Sequence, residues 1–424
     1  MAGYLWPARG IGRLLHAADN TRDGFERTLQ APAPTASTHS QALAQMIRAQ
    51  ILENGGSISF ARYMELALYA PGQGYYSAGA TRFGAHGDYV TAPDVSPLFS
   101  RCLARQCRQV LAELPEGDIL ELGAGSGIMA RDLLLELQAC AALPANYLIL
   151  EPSADLRQRQ KELFCADVPH LLPRIIWLET LPEQPLRGAI IANEVLDALP
   201  VVRVAPDNGV LRELRVGHDG ADFCWLEAPC RDDRVDATWA RISADLPAPL
   251  PAPYRTEINL RAGAWLRSVS DILQQGLMLL IDYGYPRHEY YHPQRDTGTL
   301  LCHYRHRAHA NPFLYPGLQD ITASVDFTAV AEAALECGLQ LAGYTSQTHF
   351  LIGCGLDELV VSAQHGAAQP APAITAQVKR LTLPGEMGER FKAIAFTRDF
   401  PEPLLGFQFM DQQDKLWSGR RRAT

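Results

Sequence analysis

The chain predicts an α/β fold on a mostly parallel sheet, and three observations carry that expectation. From Asp118 onward, short apolar runs alternate with helical stretches; the runs lack polar alternation; and a glycine-rich turn joins the first of them to a helix. Apolar runs without alternation are what strands buried on both faces require. With 424 residues, 47% of them hydrophobic and 20% charged, the chain can bury one large domain and a substantial insertion.

Residues 1–40, with an Ala/Pro/Ser/Thr stretch from Ala31 to Ser40, read as a flexible N-terminal extension, and Asp19, Asp23 and Glu26 weigh against a transit peptide. Residues 41–117 read as a helical and lid module. Helical spacing over 41–53 breaks at Asn54-Gly55-Gly56, and a second amphipathic stretch runs from Ile58 to Leu68. The turn-rich pieces Pro71–Tyr76 and Phe83–Asp88 follow, then Thr91-Ala-Pro-Asp-Val-Ser-Pro97 leads into a helix ending near Leu114. The first half of the core, 118–200, holds strands at Ile119–Leu122, Tyr147–Leu150, Ile175–Leu178 and Ala189–Ala192, with helices over Ile128–Leu143 and Asp155–Phe164. Residues 201–256 read as a β-rich insertion shaping a substrate groove, its hairpin formed by Leu211–Val216 and Phe223–Leu226 around Gly217-His-Asp-Gly220. The core resumes over 257–400 with a helix and the strand Leu277–Asp282. Leu339–Tyr344 and Phe391–Thr397 supply an antiparallel edge pair, for seven strands in all, and 401–424 is a tail.

The formal charge of -9 and pI near 5.8 argue against nucleic-acid backbone binding. Nine scattered cysteines without a C-x-x-C pair fit a reducing cytoplasm, or the mitochondrial matrix for a eukaryotic chain. No apolar run approaches the ~20 residues that span a bilayer, so no membrane insertion is expected. Cys302, His303, His306 and His309 have partial metal-ligand spacing, but Arg305 and Arg307 would repel a cation. We read the segment as a polar basic loop and expect no metal.

The turn Glu121-Leu-Gly-Ala-Gly-Ser-Gly127 carries the chemistry. Glycines let a ligand approach the backbone closely, and the helix start offers free N–H groups. A dinucleotide fingerprint needs a third glycine where Ile128 stands, so a nicotinamide cofactor is disfavoured. S-adenosylmethionine, without phosphates, suits the shorter spacing. Its contacts are expected from Glu121, Gly123, Ala124, Gly125 and Gly127, from Glu151 at the next strand end facing the ribose hydroxyls, and from Thr91, Asp94 and Ser96 in a loop closing over it. The fourth strand ends in Asn193-Glu-Val-Leu-Asp197, at the carboxyl edge where ligands of open α/β sheets lie. Asn193, Glu194 and Asp197 are the candidate catalytic residues, because paired carboxylates can grip a guanidinium.

The motifs Ile58–Tyr69, Gly87–Phe99, Ala192–Pro200, Ile281–Tyr285 and Asp320–Phe327 resemble the MidA family, in order, across roughly Leu43 to Phe396. The resemblance implies a class I, Rossmann-like methyltransferase fold that binds S-adenosylmethionine at Gly123, Gly125, Gly127 and Glu151. For mitochondrial members it implies symmetric dimethylation of a protein arginine in a respiratory complex I subunit, and assistance in assembling that complex. One departure is Ser324, where the family's usual residue is histidine. The competing classes are a small-molecule methyltransferase and an S-adenosylmethionine-binding assembly factor without turnover. A homodimer is left open.

Overall fold

The computed structural model describes residues 31–77, 90–207, 209–365 and 370–417. Most of the expected N-terminal extension, the Phe83–Asp88 turn and residues 418–424 lie outside the described residues.

The N-terminal module begins with α1 (Pro34–Glu53), whose proline sits in the first turn, where a missing N–H costs nothing. The helix therefore starts upstream of the expected 41, and Ser40 is already buried. Gly55 and Gly56, both at positive φ, end it. Ser59 then caps α2 (Phe60–Tyr69) by accepting the Arg62 N–H. The short α3 (Ala92–Val95) leads into α4 (Pro97–Glu113).

The core then alternates as expected: β1 (Asp118–Leu122), α5 (Ile128–Ala139), β2 (Tyr147–Leu150), α6 (Ala154–Asp167), β3 (Ile175–Leu178) and β4 (Leu186–Asn193). The insertion follows with β5 (Val202–Asp207), β6 (Val210–His218), β7 (Phe223–Pro229), α7 (Asp233–Asp245) and β8 (Thr256–Ile258). Its four strands form a separate sheet in the order β7-β6-β5-β8, so the inserted sheet runs past the expected boundary at 256. After α8 (Ala262–Ile272) and the long β9 (Leu273–Tyr285) comes a short α9 (Arg287–Tyr290). A three-stranded sheet follows, with β10 (Leu301–Tyr304), β11 (Arg307–His309) and β12 (Asp320–Thr322) in the order β11-β10-β12.

Where a basic loop was expected at 302–309, the chain makes a tight hairpin. Its corner residues Arg305 and His306 take positive φ. The chain then runs through β13 (Val325–Asp326), α10 (Phe327–Glu336), β14 (Gln340–Ser346), α11 (Gln347–Gly353), α12 (Leu356–His365), α13 (Ala371–Thr382), β15 (Phe391–Arg398) and α14 (Asp414–Trp417).

The central sheet runs β14-β15-β9-β4-β1-β2-β3, with β13 added beside the end of β9. Strands β1 to β4 and β9 are parallel, while β15 is antiparallel to both β9 and β14. Ile119, Ala189, Ile191, Leu277 and Leu279 face one apolar layer, and Leu120, Ile190, Met278 and Leu280 face the other. Burial on both faces explains the uninterrupted apolar runs. The expected tail is partly built into the core: Leu404, Phe407 and Leu416 are buried, and Phe407 lies on the bare backbone of Gly343.

Candidate functional site

Parallel strands β2, β1, β4 and β9 are neighbours, so their carboxyl ends form one edge. At the end of β1, Gly123, Gly125 and Gly127 adopt φ of 73°, 52° and 81°, a region that L side chains rarely enter. A Cβ on Gly123 would press on Val195, and one on Gly127 on Gln160. The turn is held from beneath. The fully buried Gln160 of α6 donates to the Gly125 carbonyl at 3.0 Å and accepts from the Trp177 indole at 2.9 Å. This bridge was not foreseen, because α6 shows no polar motif that marks Gln160.

Glu151 directly follows β2, is 5% exposed, and its carboxylate accepts the Ser153 N–H at 3.0 Å. Burial pushes its pKa up to about 7. Glu121 points inward instead, accepting from the Tyr147 hydroxyl at 2.7 Å, and burial raises it also to about 7. Ala124 is buried within the turn.

The end of β4 carries strain. Glu194 takes φ of 54°, a left-handed value that costs on the order of 1 kcal/mol or more outside glycine. Two anchors hold it there. Its N–H donates to Ile281 O at 2.9 Å, and Asp282 Oδ2 of β9 accepts the N–H groups of Val195, Leu196 and Asp197 at 2.9–3.2 Å. The Asn193 side chain donates to Glu194 Oε1 at 3.1 Å, which fixes the carboxylate.

Burial, with Asp197 nearby, raises Glu194 to about 8. Asp197 is raised by burial and by the neighbouring Asp282 and Asp320. For Asp282, burial and Glu194 push the same way, while its backbone donors pull against them. The Tyr283 hydroxyl and the Ala198 N–H face the buried Asp197 carboxylate and pull against that rise.

The Thr91–Ser96 segment lies against this edge. The Ala92 backbone N–H reaches the Glu194 carboxylate, and Asp94 and Val95 share a groove with Ile128, the first residue after the glycine turn. The polar groups of the segment are largely committed to local structure. Asp94 Oδ2 accepts both the Thr91 hydroxyl and its N–H, and Ser96 caps α4 and donates to Gln377. Asp94 Oδ1 is buried without a hydrogen-bond partner among the described residues.

Sequence position alone placed the glycine turn, Glu151 and Asn193–Asp197 together. It did not single out Asp282, Asp320 or the tyrosines of the N-terminal module. Asp282 and Asp320 sit in the Ile281–Tyr285 and Asp320–Phe327 motifs, and Asp282 near the end of a buried strand was a signal within reach.

A sheet of this order with a glycine turn after its first strand defines a class I S-adenosyl-L-methionine-dependent methyltransferase. Residues 102–345 match the model of an S-adenosyl-L-methionine-dependent methyltransferase family, and the chain belongs to that family, the MidA-like methyltransferases. A Burkholderia thailandensis crystal structure bound to S-adenosyl-homocysteine is 43% identical, with a TM-score of 0.86, covering 91% of this chain and 100% of that one. Among curated relatives, "Protein arginine methyltransferase NDUFAF7 homolog, mitochondrial" of Drosophila melanogaster is 29% identical over 85% of this chain and 87% of its own length. "Protein arginine methyltransferase NDUFAF7, mitochondrial" of Danio rerio is 26% identical over 84% and 87%. The cofactor is S-adenosylmethionine, and the open glycine turn beside the Glu151 carboxylate fits it. Among the described residues no helix is long and apolar enough to cross a membrane.

Proposed function

We propose that the protein transfers methyl groups to arginine side chains of a protein substrate, with the cofactor held by the glycine turn, Glu151 and the Thr91–Ser96 segment. The observation that carries this is Glu194 beside Asp197, a carboxylate pair at the sheet edge. The names of the curated relatives support it. Bound S-adenosylmethionine supplies the methyl group. The chain's own residues bind and orient the acceptor. Arginine stays charged in water, so the site must desolvate and align it rather than wait for deprotonation. Glu194 accepts from one edge of the guanidinium and Asp197 supports the other, drawing positive charge away from the attacking nitrogen. Symmetric dimethylation, a respiratory complex I subunit as partner, and a role in assembling that complex belong to this reading.

The test is incubation with labelled S-adenosylmethionine and extract from a strain lacking the protein, followed by mapping of labelled peptides. Label on arginine supports the reading. Label confined to small molecules, or none above background, overturns it.

A further inference from the structure

The N-terminal module brings two tyrosines to the carboxylates. Tyr69, the last residue of α2, donates its hydroxyl to the carbonyl of Ala198 at 2.9 Å, and Ala198 directly follows Asp197. Tyr76 donates to Asp320 Oδ1 at 2.9 Å, and the two rings stack with centroids 5.5 Å apart and planes 26° apart. The hydroxyl of Tyr69 is tied inward, yet the residue remains 38% exposed. One face of the Tyr69 ring is taken by Tyr76, so the exposure that remains is shared between the helix-end backbone and the other ring face. Burial and the Asp320 and Asp197 carboxylates hold its phenol protonated, so it remains a donor and keeps this anchor.

Two independent features thus meet at one place: an aromatic ring fixed at its tip, and beside it the 5% exposed Asp197 in a cluster of carboxylates with Glu194, Asp282 and Asp320. A planar delocalised cation satisfies both, since its N–H edge reaches carboxylates while its face lies on a ring. An ammonium is compact, strongly hydrated and cannot stack in this way. We propose that Tyr69 selects a guanidinium over an ammonium at the acceptor site by stacking on it while Glu194 and Asp197 hold its edge. Tyr76, braced on Asp320, is a positioning residue that fixes the Tyr69 ring.

This rests on the arginine reading, and the experiment separates the two. Calorimetry on the full chain saturated with S-adenosylhomocysteine compares acetyl-Gly-Arg-Gly-amide with acetyl-Gly-Lys-Gly-amide. The wild-type protein should prefer the arginine peptide about tenfold or more. Tyr69→Leu should lose most of that preference, and Tyr69→Phe, which keeps the ring, should retain most of it. S-adenosylhomocysteine affinity should match wild type in both variants. Tyr76→Phe should weaken the preference less than Tyr69→Leu does. A folded Tyr69→Leu that keeps the full preference overturns the role of Tyr69 and leaves the arginine reading standing. A wild-type protein that binds both peptides equally overturns the arginine reading and this inference with it.

Discussion

At the scale of single residues, the proposed chemistry rests on Glu194, which has a left-handed backbone, a carboxylate hydrogen-bonded by Asn193 and a carboxyl raised to about 8. Glu194→Gln keeps the shape and removes the charge, so at pH 9, where the wild-type carboxyl is ionised, turnover on a protein acceptor should fall roughly 100-fold with cofactor affinity little changed. Loss of cofactor binding with normal turnover at saturating cofactor would place Glu194 in the cofactor site instead. The raised pKa has a direction. Below about 8 the carboxyl is mostly protonated and cannot grip a cation, so wild-type kcat/KM for the acceptor should rise with pH through that value. A flat profile between pH 6 and 9 would sink the assignment. The glycine turn, Glu151 and the Glu194–Asp197 pair were legible because strand ends of a parallel sheet converge by construction. Tyr69 and Asp320 lie 125 and 126 residues from Glu194 on opposite sides in sequence, counting 194 − 69 and 320 − 194, and no local pattern reports such a meeting.

Elements were legible where one period ruled. Strands β2 and β3 fall where their apolar runs predicted, as do the hairpin β6–β7 and the antiparallel β15. Helices α11 to α13 and the β10–β12 sheet were not foreseen. The β10–β11 corner uses Arg305 and His306 rather than the glycine or asparagine that marks a turn. The glycine turn as an element also makes a prediction. Gly125 sits at φ of 52°, so Gly125→Val should abolish calorimetric binding of S-adenosylhomocysteine while circular dichroism stays native. Undiminished affinity in the folded variant would misplace the cofactor. For α3, whose Ala92 N–H reaches Glu194, hydrogen exchange over Thr91–Ser96 should slow when S-adenosylhomocysteine binds; identical exchange with and without it would rule out a closing role.

Across the whole molecule, the carboxylates of Glu121, Glu151 and Glu194 have folded-state pKa values of about 7, 7 and 8, above their unfolded value of 4.5. Each therefore contributes stability that is fully present below about 4.5 and lost as pH rises through 7 to 8. The thermal midpoint of the ligand-free protein should fall between pH 6 and 9, and a rise over that interval in calorimetry would contradict the burial of these groups. The C-terminal segment closes the fold from the other end of the chain. Deleting residues after Phe400 would strip Leu404, Phe407 and Leu416 from the interior, at a cost on the order of 5 kcal/mol. A truncated chain with an unchanged denaturation midpoint would show that the segment merely rests on the surface.

The Trp177–Gln160–Gly125 bridge gives the protein an optical consequence. One of six tryptophans is wired through a single side chain to the backbone of the glycine turn. Any shift of that turn on ligand binding moves the acceptor of the indole N–H, and indole emission responds to the polarity and hydrogen bonding around it. Cofactor occupancy should thus be readable as a change in intrinsic fluorescence that Trp177→Phe removes while calorimetric binding persists. The protein carries its own titration signal, without label or substrate.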